Sequence, residues 1–188
     1  MTVLDIRPSE LTEVLGSRLA AATDRHLAMA KEWFPHDYVP WSVGRDFGDA
    51  PYDESQSPLS PAVRAAVQLN LLTEDNLPAY HRELNRAFGS EEPWRTWVDR
   101  WTAEEGRHAI ALRDYLIVTR SVDPVQLERE RMATMATGFR APEKDMLRTL
   151  AYVSLQELAT RVAHRNTGRQ SGDPGLDRLL APYKRVRL

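Results

Sequence analysis

Residues 93 to 120 read PWRTWVDRWTAEEGRHAIALRDYLIVTR, and the fold follows from how this stretch is read. Trp94, Trp97, Trp101, His108, Leu112, Tyr115 and Leu116 fall at the spacing of one face of an α-helix. Glu105 and His108 stand three residues apart, so their side chains project from nearly the same side of that helix. The preceding GSEEP (89–93) reads as a turn, with Glu91 and Glu92 placed at the positive N-terminal end of the helix.

The same periodicity extends in both directions. Residues 9 to 34 read as a helix with an apolar stripe of Leu11, Leu15, Leu19, Ala22, Leu27 and Ala30. Residues 35 to 58, FPHDYVPWSVGRDFGDAPYDESQS, are rich in Pro, Gly, Asp and aromatics and read as a long irregular excursion. Loops of that length in compact domains are functional or packed more often than idle. Helix resumes over 59 to 88, with Val63, Val67, Leu71, Leu72 and Leu77 apolar. Pro78 should kink it by removing one backbone donor. A shorter helix over 123 to 137 stops at Gly138, and a longer one over 142 to 168 ends at Gly168. Ser171-Gly172-Asp173-Pro174 reads as a turn whose Asp and Pro start a final helix. No strand pattern appears, so the chain reads as all-α, a single domain over 1–188.

Bulk properties bound the function. At 188 residues the chain supports one buried core. Hydrophobic residues at 42% and charged residues at 28% describe an ordinary soluble protein. A formal charge of −2 gives no reason to expect nucleic acid or an anionic membrane surface as partner. The absence of cysteine excludes disulfides, thiolate zinc sites and cysteine-ligated clusters, and fits a cytoplasmic protein. MTVLDIRPSE lacks the basic start and apolar run of a secretory signal, and no apolar stretch is long enough to span a bilayer.

Chemistry enters through the acids. With the hairpin turn centred near Gly89 and Ser90, Glu74 lies about 15 residues before it and Glu105 about 15 after it. At ~1.5 Å per residue both stand roughly 23 Å from the turn, at one height in an antiparallel pair. Two carboxylates and the His108 imidazole at one level make a hard-to-borderline donor set suited to iron or manganese. Carboxylates with a Glu-x-x-His pair are what helical bundles use to hold two such ions. Around the last turn, near Gly172, Glu157 occupies the matching height. Its counterparts near position 187 are Lys184, Arg185, Val186, Arg187 and Leu188, which offer no ligand.

Each residue also has an ordinary reading. Glu104-Glu105-Gly106-Arg107-His108 could be a solvated salt-bridge face. Thr73-Glu74-Asp75 is ordinary surface composition, and Glu157 between Leu155 and Leu158 could face solvent. His26, His36, His81 and His164 lack partner spacing and read as structural or exposed. Leu71, Leu72, Ala111, Leu112 and Val153 could line an apolar tunnel or simply fill the core.

TEDNLPAYH (73–81), WRTWVDRWTAEEGRH (94–108) and YVSLQELATRVAHRNTG (152–168) resemble the three upstream metal-bearing helices of the soluble acyl-[acyl-carrier-protein] desaturases. EWFPHDYVP (32–40) is similar to that family's pre-bundle loop. The resemblance implies a ferritin-like bundle, a di-iron site and O₂-dependent insertion of a cis double bond into a fatty acyl chain held on acyl-carrier protein. It also implies a ferredoxin-type electron donor and a homodimer. Matched by position, Glu74, Glu105, His108 and Glu157 fall on iron ligands, Thr160 on a threonine associated with oxygen handling, and Trp33 on a tryptophan linked to the ligand histidine.

The departures set further expectations. The family's second Glu-x-x-His pair, in an Asp-Glu-x-x-His context, is absent, and its Asp would complete the Trp33 network. The bundle is therefore expected to be incomplete at its C-terminal end, with 183–188 a tail foreign to the family. Fewer than two metals should be held tightly, activity should be weak, and the apolar stripe on 142–168 should drive self-association. A non-catalytic helical module binding one metal or none is the alternative, and a ferritin-like oxidase or metal store is a third. Gly106 inside the metal helix costs about 0.8–1 kcal/mol of helix propensity relative to Ala.

Overall fold

A computed structural model describes residues 8–141 and 145–181. Seven α-helices carry them: α1 Pro8–Met29, α2 Pro61–Asp75, α3 Leu77–Phe88, α4 Trp94–Val118, α5 Pro124–Thr137, α6 Met146–Gln170 and α7 Pro174–Leu179. Among the described residues there is no strand. The side chain of Leu11 and the segment 183–188, on which two expectations fell, lie outside what is described.

The centre is α4, which packs against α1, α2 and α3; α2 in turn meets α5 and α6, and α6 carries α7. Two apolar clusters flank the middle of α4. Leu71, Leu112, Tyr115 and Leu116 pack with Leu127, Leu176 and Leu180 at one end. Leu19, Leu84, Phe88, Trp94, Trp97, Trp101 and Val153 pack at the other. Leu71, Ala111 and Leu112 thus belong to the core, while Val153 also lines a cleft. The acids lie in the short polar zone between the two clusters.

Local chemistry explains most boundaries. Ser60, Asp123, Asp145 and Asp173 each cap a helix by accepting a backbone N–H. Pro78 breaks its helix: α2 ends at Asp75, and Asn76 closes it and opens α3. Pro78 has no N–H to bond the Glu74 carbonyl, so the ladder cannot continue. Gly138 stops α5 with φ 66°.

Two boundaries differ from the sequence reading. The first helix ends at Met29, and Leu27 and Ala30 are exposed; Leu15, Leu19, Thr23 and His26 form the inward side instead. The long helix α6 does not stop at Gly168 but runs to Gln170. A Cβ at Gly168 would lie 3.2 Å from Asp177 Cα and from Leu180 Cβ, so this glycine admits α7 at close range.

The excursion between α1 and α2 is packed rather than loose. Three 3₁₀ turns interrupt it, and Arg120 holds its far end. Arg120 Nε donates to Gln56 Oε1 at 2.7 Å, Nη1 donates to the Arg45 carbonyl at 3.3 Å, and Nη2 reaches the Ala50 carbonyl. Its guanidinium stacks on Phe47, 4.1 Å from the ring centroid.

Candidate metal centre

Glu74 leaves the last turn of α2, while Glu105 and His108 leave the middle of α4 one turn apart. Their ligand atoms all lie within 4.8 Å of one another, and among the described residues this is the tight group of potential metal donors. His108 Nδ1 is 2.7 Å from Glu105 Oε2 and 3.8 Å from Glu74 Oε2. Burial pulls the His108 imidazolium down. The Glu105 carboxylate outweighs burial, Glu74 adds to it, and the pKa is pushed up to about 10.

Glu157 on α6 stands in the same cleft but not in the tight group. The Trp101 indole N–H donates to its Oε1 at 3.1 Å. Burial, followed by the charges of Glu105 and Glu74, pushes the Glu157 carboxyl up to about 7. That shift reports burial first and neighbouring negative charge second. Glu105 Oε1 is also buried without a hydrogen-bond partner. Three carboxylates in short supply of cation and donors, with an imidazole among them, fit a divalent iron or manganese ion.

Trp33 and Thr160 line this cleft of about 1430 Å³ with the acids. The Trp33 ring stacks on the His108 imidazole, with centroids 5.5 Å apart and planes at 22°. Arg107 fixes the indole from the other side, 4.9 Å from its centroid, and donates to the Trp33 carbonyl at 3.1 Å. A second cleft of about 500 Å³ lies between α3, α4 and α6. Tyr80, Leu84, Ala87, Phe139 and Val153 give it apolar walls, and Glu157 and Trp101 border it, so the two clefts meet at Glu157.

Two residues escaped the sequence reading. Trp101 was legible as a core aromatic, but nothing in its spacing said that its N–H meets a carboxylate on another helix. His164 lacks partner spacing in the sequence and reads as structural or exposed; the structure buries it fully, with Nε2 3.7 Å from Glu74 Oε1. Burial, helped by the His108 charge, pulls its pKa down to about 4, so the ring is neutral at pH 7. The signal was present: His164 follows Glu157 by seven residues, two full turns on one face. Of the other histidines, His26 binds Glu104 with both oxygens within 3.0 Å, and His81 meets Thr102 at 2.8 Å. These tie α1 and α3 to α4.

The chain is 50% identical over 169 residues to a Mycobacterium tuberculosis protein named as an acyl-[acyl-carrier-protein] desaturase, DesA1, covering 84% of this chain and 50% of that one. It is 31% identical over 182 residues to the chloroplastic stearoyl-[acyl-carrier-protein] 9-desaturase 1 of Arabidopsis thaliana, covering 89% and 46%. The X-ray structure of DesA2 from M. tuberculosis H37Rv superimposes with a TM-score of 0.69 at 34% identity, covering 92% of this chain and 62% of that one. The chain spans about half the length of the relatives it matches. A family model described as fatty acid desaturase matches residues 8–183, and the chain belongs to that family.

Proposed function

We propose that these residues form the upstream metal-bearing part of an acyl-[acyl-carrier-protein] desaturase, which inserts a cis double bond into a carrier-bound fatty acyl chain. The observation that carries this reading is the convergence of Glu74, Glu105 and His108 from two helices, in a chain half identical to DesA1. In that reaction two electrons from the acyl chain and two from a ferredoxin-type donor reduce O₂, with two further protons, to two waters. Iron held as a pair supplies the oxidising power needed to remove hydrogen from an unactivated C–H.

The chain's own residues do the holding and the orienting. Glu74, Glu105, His108 and Glu157 are the metal donors of the reading, and manganese suits the same set. Trp33 fixes the plane of His108 by stacking. Trp101 turns the Glu157 carboxylate toward the junction of the clefts. Thr160, one turn beyond Glu157, offers a hydroxyl on the wall of the metal cleft, suited to proton handling during O₂ reduction. The apolar second cleft suits an extended acyl chain, whose placement selects the carbon that reacts.

The reading includes a homodimer acting in the cytoplasm, with acyl-carrier protein delivering the greasy substrate. No helix among the described residues is long and apolar enough to cross a membrane. The alternative, a non-catalytic module holding one metal or none, is not favoured by the names its relatives carry.

The 188 residues contain one Glu-x-x-His pair, so by themselves they should turn over weakly. Joining residues 1–182 to a desaturase-derived continuation carrying Asp-Glu-x-x-His tests the reading directly. With iron, ferredoxin, its reductase, O₂ and saturated acyl-carrier protein, mass spectrometry should detect monounsaturated product, and His108→Ala should abolish it. A folded, iron-loaded fusion giving no product, or activity indifferent to His108→Ala, would overturn the assignment.

A further inference from the structure

Charge enters the second cleft from one direction. The cleft runs along α3, where Tyr80, Glu83, Leu84 and Ala87 share a face, and along α6, where Glu157, Val153 and Thr149 do the same. Trp101 and Glu157, joined by a hydrogen bond, mark its metal end. Tyr80 and Trp101 lie about equally far from the turn at Gly89 and Ser90, so they stand near one height. Glu83 follows one turn further along α3, about 4.5 Å away along the axis. Apart from Glu157, the charged residues of the lining are Glu83, Arg86 and Asp145, all on the side away from the metal end.

Glu83 is not a rim charge. Its side chain is 9% exposed, whereas Arg82 and Arg86, which donate to it at 3.3 Å and 3.2 Å, are 56% and 63% exposed. An ordinary surface ion pair leaves both ends in water; here only the cations stand in it. Burial raises the Glu83 pKa, but the two arginines and the Ala141 backbone N–H outweigh burial and keep the carboxyl ionised at neutral pH. The same ion pairs help tie residues 139–141 to α3, yet a purely structural tie has no need to line a cleft. An apolar chain drawn past this level strips water from an ionised oxygen and offers no hydrogen bond in return. The usual gain from burying each further methylene is offset there.

We propose that Glu83 is a specificity-determining residue of the second cleft: it ends the apolar path, and the acyl chain that fits stops with its far end at this carboxylate. A methyl end stops there without bonding. A hydroxyl end on a chain of the same length donates to Glu83. The proposal rests on reading this cleft as the acyl site, and adds a length limit set by one charged residue of this chain.

Length-dependent binding tests it without turnover. Saturated acyl-pantetheine thioesters, lengthened two carbons at a time, are titrated into the 188-residue chain and followed by calorimetry. Each step within the cleft should tighten binding roughly tenfold, and steps beyond the limit by less than about twofold. At the limiting length, and at no shorter one, the analogue with a terminal hydroxyl should bind more tightly than the methyl-ended chain. Glu83→Leu should move the limit to longer chains and remove the preference for the hydroxyl. An unbroken rise of affinity with length would overturn the proposal and leave the acyl-cleft reading standing. A limit that Glu83→Leu does not move would overturn it as well. If Glu83→Leu does not fold, the hydroxyl comparison in the unsubstituted chain decides, and no preference at the limiting length overturns the proposal. Failure of every chain to bind would remove both readings together.

Discussion

Helices α4 and α6 are each 25 residues long and both carry site residues, yet they are held in opposite ways. Ten residues of α4 are buried, from Trp94 to Leu116, including Glu104 and Glu105. On α6 the buried residues are Thr149, Val153, His164 and Gly168. Leu147, Tyr152, Leu155, Leu158 and Val162 stand exposed, Leu155 at 68%, with Tyr152 and Leu158 at the rims of the two clefts. A helix packed on three sides fixes the position of its ligands. A helix packed along one narrow line can roll, and the side chains of Glu157 and His164 follow it. The tight donor group accordingly comes from α2 and α4, while α6 supplies the looser members.

The largest effect that should separate the two helices is on metal binding. Glu105→Ala or His108→Ala is expected to remove tight Fe(II) or Co(II) binding altogether, measured by metal content after gel filtration. Thr160→Val on α6 should leave tight binding in place. Equal losses from both helices would show that α6 is as fixed as α4.

Stability should divide the helices next. Leu112 and Leu116 are fully buried in the core, so either one changed to Ala should cost about 2–5 kcal/mol in urea unfolding. Leu155→Ala on the outer side of α6 should stay within about 0.5 kcal/mol. A large cost at Leu155 would mean that this side is covered in solution.

A pH effect bears on how α6 is anchored at its start. Burial of Glu83 on α3 raises its pKa, but Arg82 and Arg86 outweigh that and hold it below the usual carboxylate range. Arg82 also donates to the Phe139 carbonyl at 3.0 Å, just past the end of α5 and on the way to α6. A depressed folded pKa contributes stability that is fully present above the unfolded value of about 4.3. It is lost as pH falls through the folded value. The difference in melting temperature between the unsubstituted chain and Glu83→Gln should therefore be largest at pH 6 to 7 and shrink toward pH 3. A difference constant across that range would mean that the charge of Glu83 does not hold this junction.

The smallest change in stability should accompany the clearest change in assembly. Leu155→Ser with Leu158→Ser is expected to leave unfolding nearly unaltered while weakening self-association in sedimentation, since a contiguous apolar face is rarely left bare. A chain that sediments as a monomer before substitution would remove self-association through this face.

Much of this could be read from the residues. The helical class, the order of elements, the break at Pro78 and the caps at Asp123 and Asp173 are written in local chemistry, because periodicity, capping side chains and proline act within one or two turns. The shared height of Glu74 and Glu105 came from counting along a hairpin, since rise per residue is nearly constant. What the sequence left undecided is everything that depends on how helices meet. Gly168 looked like a stop signal because only the approach of α7 shows why that position has no side chain. The Arg120 guanidinium holds a loop that lies more than sixty residues earlier, a contact that no local pattern shows. The separation of Glu157 from the tight group, its bond to Trp101, and the two histidines facing the two oxygens of Glu74 are angular facts about helix faces. A rise of ~1.5 Å per residue fixes the height of a ligand. Only the packing of one helix on another fixes its direction, and direction decides which atoms can share an ion.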